Sequence, residues 1–215
     1  MYKAVIFDFD GTLADSSKGV FAGIQYALRS IGEKELPIET LKTFIGPPLE
    51  ISFETQCNIT GEKCTEAVKK YREYYSEKGI YELELYNDTV STLKELKNLG
   101  IKIGVGSSKP ELFLNKILEH FEIDKYFDCV SGATFGKPHA NKIGIVTDAM
   151  EALGITDKDS VIMVGDRCYD VEGAHGAGIK CICVLQGGFG TRNEFEESGA
   201  DYIVDTLEDV LEIVK

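Results

Sequence analysis

Two aspartates stand one residue apart near the start of the chain, in Lys3–Ser16, KAVIFDFDGTLADS. The apolar run Ala4–Phe7 reads as a buried strand, and alternate residues of an extended chain point to one side. Asp8 and Asp10 therefore face the same space beyond a strand end. Two carboxylates so placed repel each other unless a cation sits between them. Gly11 permits the sharp turn out of the strand, and Thr12 with the turn amides can hold what Asp8 holds. A second acidic pair follows in VIMVGDRCYDVEGA, where Asp166 ends the apolar run Val161–Val164 and Asp170 comes four residues later. If the two strands are neighbours, three or four carboxylates surround one point, an all-oxygen site suited to Mg²⁺. In IGVGSSKPE, Ser107 and Ser108 end a strand just before a helix start at Pro110, and hydroxyls with free helix amides suit an oxyanion or phosphate. A lysine lies near the start of another helix in GKPHANKIGI, which contains both Lys137 and Lys142.

These residues need a scaffold that brings strand ends together. Short apolar runs alternate with helical patterns, the signature of an α/β fold with a doubly wound parallel sheet. Strands are expected at Lys3–Asp8, Ile101–Gly106, Phe127–Ser131, Ser160–Gly165, Lys180–Leu185 and Tyr202–Val204. Helices are expected over 87–98, 110–120, 141–153, 169–177 and 206–214. Residues 16–86 break the alternation: they contain no convincing strand and read as helices over 16–31, 37–44, 49–57 and 62–78, interrupted by FIGPPLE. Loops of a crossover run to about 2–6 residues, so this segment is too long for one. It reads as a separate α-helical lobe, 16–86, spliced into an α/β core, 1–15 and 87–215. Linkers are expected near 14–18 and 82–87.

The chain has 215 residues, with 23 basic and 36 acidic side chains and a net charge of −13. That field repels phosphate backbones and argues against nucleic-acid partners. No apolar window reaches the ~18 residues of a membrane span, and Asp8 and Asp10 interrupt any signal-peptide core. A cytoplasmic protein is expected, and its six cysteines read as reduced thiols. Cys57 and Cys64 have no metal-ligand spacing, Cys181 and Cys183 fit a buried strand, and Cys168 reads as a chance neighbour of the acidic pair. His120 and His175 read as structural, and Tyr71, Tyr74 and Tyr75 as the packed face of a cap helix. GGFG at Gly187–Gly190 reads equally as the edge of a site or as a plain loop.

The order of these pieces, strand–DFDGT, strand–Ser, helix-opening Lys, strand–GDxxxD, resembles the haloacid-dehalogenase-like hydrolase superfamily over the whole chain. The resemblance implies a Rossmann-like core, with the helical insert as a type-1 cap. It implies that Asp8 is the nucleophile that forms an aspartyl-phosphate and that Asp10 is the general acid and base. Mg²⁺ would be held by Asp8, the backbone carbonyl of Asp10, and Asp166, supported by Asp170. Ser107 would hydrogen-bond the phosphoryl group, and a lysine would pair with Asp8. Lys137-Pro138 looks like the KPxP motif of many relatives, but Lys137 stands 17 residues before Gly154. Lys142 stands twelve before it and matches relatives in which the lysine opens the helix, so Lys142 is favoured and Lys137 becomes a substrate-loop residue. Gly11, Thr12 and Ser108 would line the phosphate seat, and Gly46 of FIGPPLE would approach the substrate from the cap.

Dehalogenases and phosphonatases lack an aspartate at the position of Asp10, so the resemblance implies phosphate-ester chemistry. A phosphomonoesterase similar to phosphoglycolate phosphatase, acting on a small phosphorylated metabolite as a monomer or homodimer, is expected. FIGPPLEISF resembles a 5′-nucleotidase-like subgroup, which makes a nucleoside monophosphate the main rival substrate. A β-phosphoglucomutase-type mutase shares the first motif. The rival from another class is a receiver-like phospho-acceptor module. Its length of ~120 residues and its lack of an acid after the nucleophile argue against it.

Overall fold

The computed structural model describes residues 1–134 and 141–215. In chain order its elements are β1 (Ala4–Phe7), β2 (Ala14–Asp15), α1 (Ser17–Ser30), α2 (Ile38–Lys42), α3 (Leu49–Cys57), α4 (Gly61–Glu77), β3 (Glu84–Leu85), α5 (Thr89–Asn98), β4 (Lys102–Pro110), α6 (Glu111–His120), β5 (Cys129–Ala133), α7 (Lys142–Leu153), β6 (Val161–Gly165), α8 (Cys168–Ala177), β7 (Lys180–Val184), α9 (Arg192–Ser198), β8 (Tyr202–Val204) and α10 (Val210–Val214). The chain forms two compact units, residues 1–14 with 85–215, and residues 15–84. The crossings lie in the short strands β2 and β3, which pair with each other.

The larger unit is built on a six-stranded sheet in the order β5-β4-β1-β6-β7-β8, with every pair parallel. Strand β1 is buried along its whole length, as expected for a parallel strand covered on both faces, and this explains its unbroken apolar run. Ile6, Met163, Cys181 and Cys183 share one core cluster with Val146, Ala149 and Leu153 of α7 and Val171 and Ala174 of α8. Because β1 lies between β4 and β6, the chain winds away from it in both directions. The carboxyl ends of these three strands surround the point where ligands bind in open α/β sheets. Register fixes the level: Phe7 is opposite both Val105 and Val164, so the next residues of all three strands emerge together.

The smaller unit packs α1 against α4. A Cβ on Gly19 would lie 2.1 Å from the Gly79 carbonyl oxygen, and one on Gly23 would lie 2.9 Å from the Tyr71 ring, so small residues set that approach. Tyr71 and Tyr75 stack at 5.2 Å and are buried, while Tyr74 meets Tyr26 with the rings tilted at 33° and donates a hydrogen bond to Glu82 at 2.9 Å. Gly46 stands between α2 and α3 with φ of +107°, backbone that disfavours a side chain.

Four expectations need correction. Residues 16–86 do contain a strand, since Glu84 belongs to β3. The stretch after GGFG forms the unforeseen helix α9, which Thr191 opens by accepting a hydrogen bond from the Glu194 amide. The last helix covers only Val210–Val214, because the Asp209 carboxylate folds back onto Thr206 and closes a turn there. Strand β4 runs past Ser107 to Pro110, so Pro110 precedes α6 and is not its first residue.

Candidate active site

Asp8 follows β1 directly and donates its amide to the Val164 carbonyl, which extends the β1–β6 ladder by one step. The chain then turns within DFDGT: the amide of Gly11 reaches Ala14 and that of Leu13 reaches Phe9. Gly11 has φ of +81°, and a Cβ there would lie 2.1 Å from Asp166 Oδ2. Both conformation and space therefore require glycine. Thr12 donates its hydroxyl to Asp166 Oδ1 at 3.2 Å.

Asp166 and Asp170 are set by the start of α8. Asp170 Oδ2 accepts hydrogen bonds from the amides of Asp166 and Arg167, at 3.1 and 3.0 Å, satisfying donors that a helix start leaves open. A Cβ on Gly165 would lie 2.2 Å from Asp170 Cγ, so this glycine admits the carboxylate. Glu194 of α9 clamps the same helix start, accepting from Arg167 Nε and the Cys168 amide, both at 3.0 Å. Cys168 thus takes part through its backbone, and its thiol is pushed up to about 11 by burial and by Glu194.

Lys142 opens α7, with Asn141 capping the helix through the Gly144 amide. Its ammonium lies 2.9 Å from Asp8 Oδ1 and 2.7 Å from Asp170 Oδ1. The stem passes close over Gly173 of α8, where a Cβ would come within 2.5 Å of Lys142 Cγ. Burial works against the ammonium, yet the charges of Asp170 and Asp8 outweigh it and hold its pKa above the ordinary lysine value. Lys137 and His139 lie outside the described residues.

Asp8, Asp166 and Asp170 each offer a carboxylate oxygen, and these oxygens lie within 4.8 Å of one another. Burial, and then the charges of Asp170 and Asp8, raise Asp166 well above the usual carboxylate range. Burial likewise pushes Asp170 up to about 6, with Asp8 adding to the rise and Lys142 opposing it. Asp166 Oδ2 is buried with no hydrogen-bond partner. An orphaned buried carboxylate oxygen beside two further carboxylates, all hard oxygen donors, fits a divalent cation such as Mg²⁺.

The Asp10 carboxylate lies outside that group. Its Oδ1 pairs with Lys109 Nζ at 3.0 Å, a contact not foreseen from the sequence. Ser107 is buried in β4 and its Oγ accepts from the Lys109 amide at 3.3 Å, whereas Ser108 is exposed. The pairing of β4 with β5 shifts register between Ser107 and Pro110. This bulge presses on Gly132, where a Cβ would lie 2.6 Å from the Lys109 carbonyl oxygen. A period-two reading of SSK would have found Lys109, since residues two apart in an extended strand share a side. No local signal marked Glu194, which arrives from 26 residues beyond Cys168. The GGFG loop does edge the site: Cβ atoms on Gly187 and Gly190 would each lie 2.2 Å from a carbonyl oxygen, of Gly11 and Asp166 respectively. Gly46 belongs to the helical unit.

Residues 5–184 match the haloacid dehalogenase-like hydrolase family. A 5′-nucleotidase of Pseudomonas aeruginosa is 32% identical over 193 residues, covering 90% of this chain and 86% of its own. Pyrophosphatase PpaX of Bacillus velezensis is 32% identical over 215 residues, covering 98% and 95%. The crystal structure of a predicted phosphatase from Clostridium acetobutylicum superposes with a TM-score of 0.93 at 36% identity, covering 100% of this chain and 98% of that one. Carboxylates at the ends of adjacent parallel strands, a lysine between them and these likenesses agree: the chain belongs to the haloacid dehalogenase-like hydrolases, and it is a phosphatase of that family.

Proposed function

We propose that this phosphatase is a Mg²⁺-dependent phosphomonoesterase that hydrolyses a small phosphorylated metabolite through an aspartyl-phosphate on Asp8. The observation that carries the reading is the division of the DxD pair. Asp8 sits with Lys142 in the carboxylate cluster, while Asp10 stands apart on Lys109. In this reading an Asp8 oxygen attacks phosphorus and the ester P–O bond breaks. Asp10, entering as the acid, gives its proton to the departing alkoxide, which leaves as the alcohol. Asp10 then takes a proton from water, whose oxygen attacks the aspartyl-phosphate, releasing inorganic phosphate and restoring Asp8.

Ser107 donates its hydroxyl to a phosphoryl oxygen, and Lys142 holds the charge that passes between Asp8 and the phosphoryl group. The Gly11 and Thr12 amides, with Ser108, complete the seat; the substrate role expected for Lys137 falls outside the described residues. Asp8, the Asp10 carbonyl and Asp166 would hold Mg²⁺, with Asp170 in support; when bound, the ion neutralises the carboxylates and the phosphoryl oxygens. Selectivity among esters is assigned to the helical unit, with Gly46 as its substrate-facing position. The protein is assigned to the cytoplasm as a monomer or homodimer; no described helix is long and apolar enough to cross a membrane.

A phosphoglycolate-like small acid phosphate is the leading substrate class. The 5′-nucleotidase relative at 32% identity favours nucleoside 5′-monophosphates as the second. The test is phosphate release measured as kcat/KM over phosphoglycolate, nucleoside 5′-monophosphates, pyrophosphate and a hexose 1-phosphate. Asp8→Asn, isosteric but not nucleophilic, should abolish turnover on all of them while the fold survives. Near wild-type turnover in that variant sinks the assignment of Asp8. Isomerisation of the hexose 1-phosphate without free phosphate would mean a mutase.

A further inference from the structure

The two lysines of the site are not equivalent. Lys142 reaches Asp8 and Asp170, while Lys109 reaches Asp10. The Lys109 side chain is only 4% exposed, against 18% for the Asp10 carboxylate it meets, so the lysine approaches from the protein side and leaves Asp10 the more solvent-accessible partner. Its position is built in. Gly132 makes room for the bulge that carries it, and the Ser107 hydroxyl accepts its amide. Bulges beside active sites re-aim side chains in this way.

We infer that Lys109 is a positioning residue for leaving-group protonation: its ion pair holds the Asp10 carboxyl where the departing oxygen develops charge. The inference rests on the reading of Asp10 as the proton donor. An ammonium on one oxygen, Oδ1, fixes the rotation of the carboxyl and leaves the other oxygen to carry the transferred proton. Without Lys109 the partly exposed Asp10 carboxyl is free to turn toward water, and the proton is misplaced at the moment the P–O bond breaks. The phosphoryl side, on Asp8 and Lys142, keeps its partners. The two ammonium groups therefore divide the reaction, one serving the attacked phosphorus and the other the leaving oxygen.

The test is a leaving-group series measured as kcat/KM, which covers events up to release of the alcohol and ignores the later hydrolysis. Alkyl phosphates need a proton on the leaving oxygen; p-nitrophenyl phosphate and acetyl phosphate scarcely do. Lys109→Met should cost about 100-fold on an alkyl phosphate, the scale of general acid catalysis, and only a few-fold on the activated substrates. Asp10→Asn should show the same steep dependence, and Lys109→Met added to Asp10→Asn should cost little more. Where the methionine variant does not fold, Lys109→Gln, which keeps a donor without the charge, should show the same slope in weaker form, and Lys109→Arg should restore part of the loss. An equal loss across the series, no loss, or a full further loss in the Asp10→Asn background overturns the role of Lys109. A flat series for Asp10→Asn overturns the Asp10 reading itself, whereas a steep Asp10→Asn beside a flat Lys109→Met overturns only the inference.

Discussion

Without metal, the carboxylate cluster should make the protein less stable as pH rises, and Mg²⁺ should remove that dependence. Burial and the neighbouring carboxylates raise Asp166, and burial pushes Asp170 from 3.8 up to about 6. A carboxyl whose folded pKa is raised contributes stability below its unfolded value, and that contribution is lost as pH climbs through the folded one. For Asp170 the window is therefore pH 3.8 to about 6, and Asp166, raised as well, adds a decline of the same sign. Between pH 5 and pH 8 the linkage for Asp170 alone is on the order of 1 kcal/mol. For a chain of this size that corresponds to a fall in Tm of roughly 2–4 °C.

Groups of opposite sign do not interfere in that window. Asp128 is buried, yet hydrogen bonds from the Ile103 amide and Lys97 hold it below the usual range. Glu194 is held low against its burial by the Cys168 amide and Arg167. Both lose stability only at pH values below the ordinary carboxylate range. Calorimetry in EDTA from pH 5 to pH 8, repeated with saturating Mg²⁺, measures the effect. Asp166→Asn, which removes a buried charge with little change of shape, should raise the metal-free Tm at pH 8 and abolish the Mg²⁺-induced shift. A metal-free Tm that stays level or rises from pH 5 to pH 8, or a slope that survives saturating Mg²⁺, refutes the reasoning.

Two further outcomes follow from glycine positions. Gly11→Ala places a Cβ 2.1 Å from Asp166 Oδ2 at a φ of +81°. The conformation costs about 1–2 kcal/mol, and displacement of the carboxylate should lower kcat/KM by about 100-fold and shrink the Mg²⁺-induced Tm shift; wild-type values for both would show that the turn tolerates a side chain. Gly46→Val, at φ of +107° in the helical unit, should change kcat/KM unequally across the substrate panel while the Mg²⁺-induced shift stays put. An equal factor for every ester would place selectivity elsewhere.

The sequence by itself determined the parallel sheet, because strands covered on both faces must be apolar throughout, and Ala4–Phe7, Val161–Val164 and Cys181–Val184 are. It singled out Asp8, Asp10, Asp166 and Asp170 as candidates, because DxD and GDxxxD gather carboxylates at strand ends and in the helix turn that follows. Gly11 was legible as the turn out of the strand, whereas the need for Gly165 beside the Asp170 carboxylate appears only in the structure. Tertiary structure decided the pairings. Both Lys137 and Lys142 stood near the start of one helix in the sequence, and only the packing of α7 on α8 over Gly173 places the Lys142 ammonium between Asp8 and Asp170. Lys109 carried no role in the sequence, and only the bulge in β4 turns it onto Asp10. Glu194 and the GGFG loop reach the site from a later stretch of chain. Local pattern records which face of an element is buried; which charges meet across the carboxyl ends of β1, β4 and β6 depends on register and on bulges, which couple residues 98 to 157 positions apart.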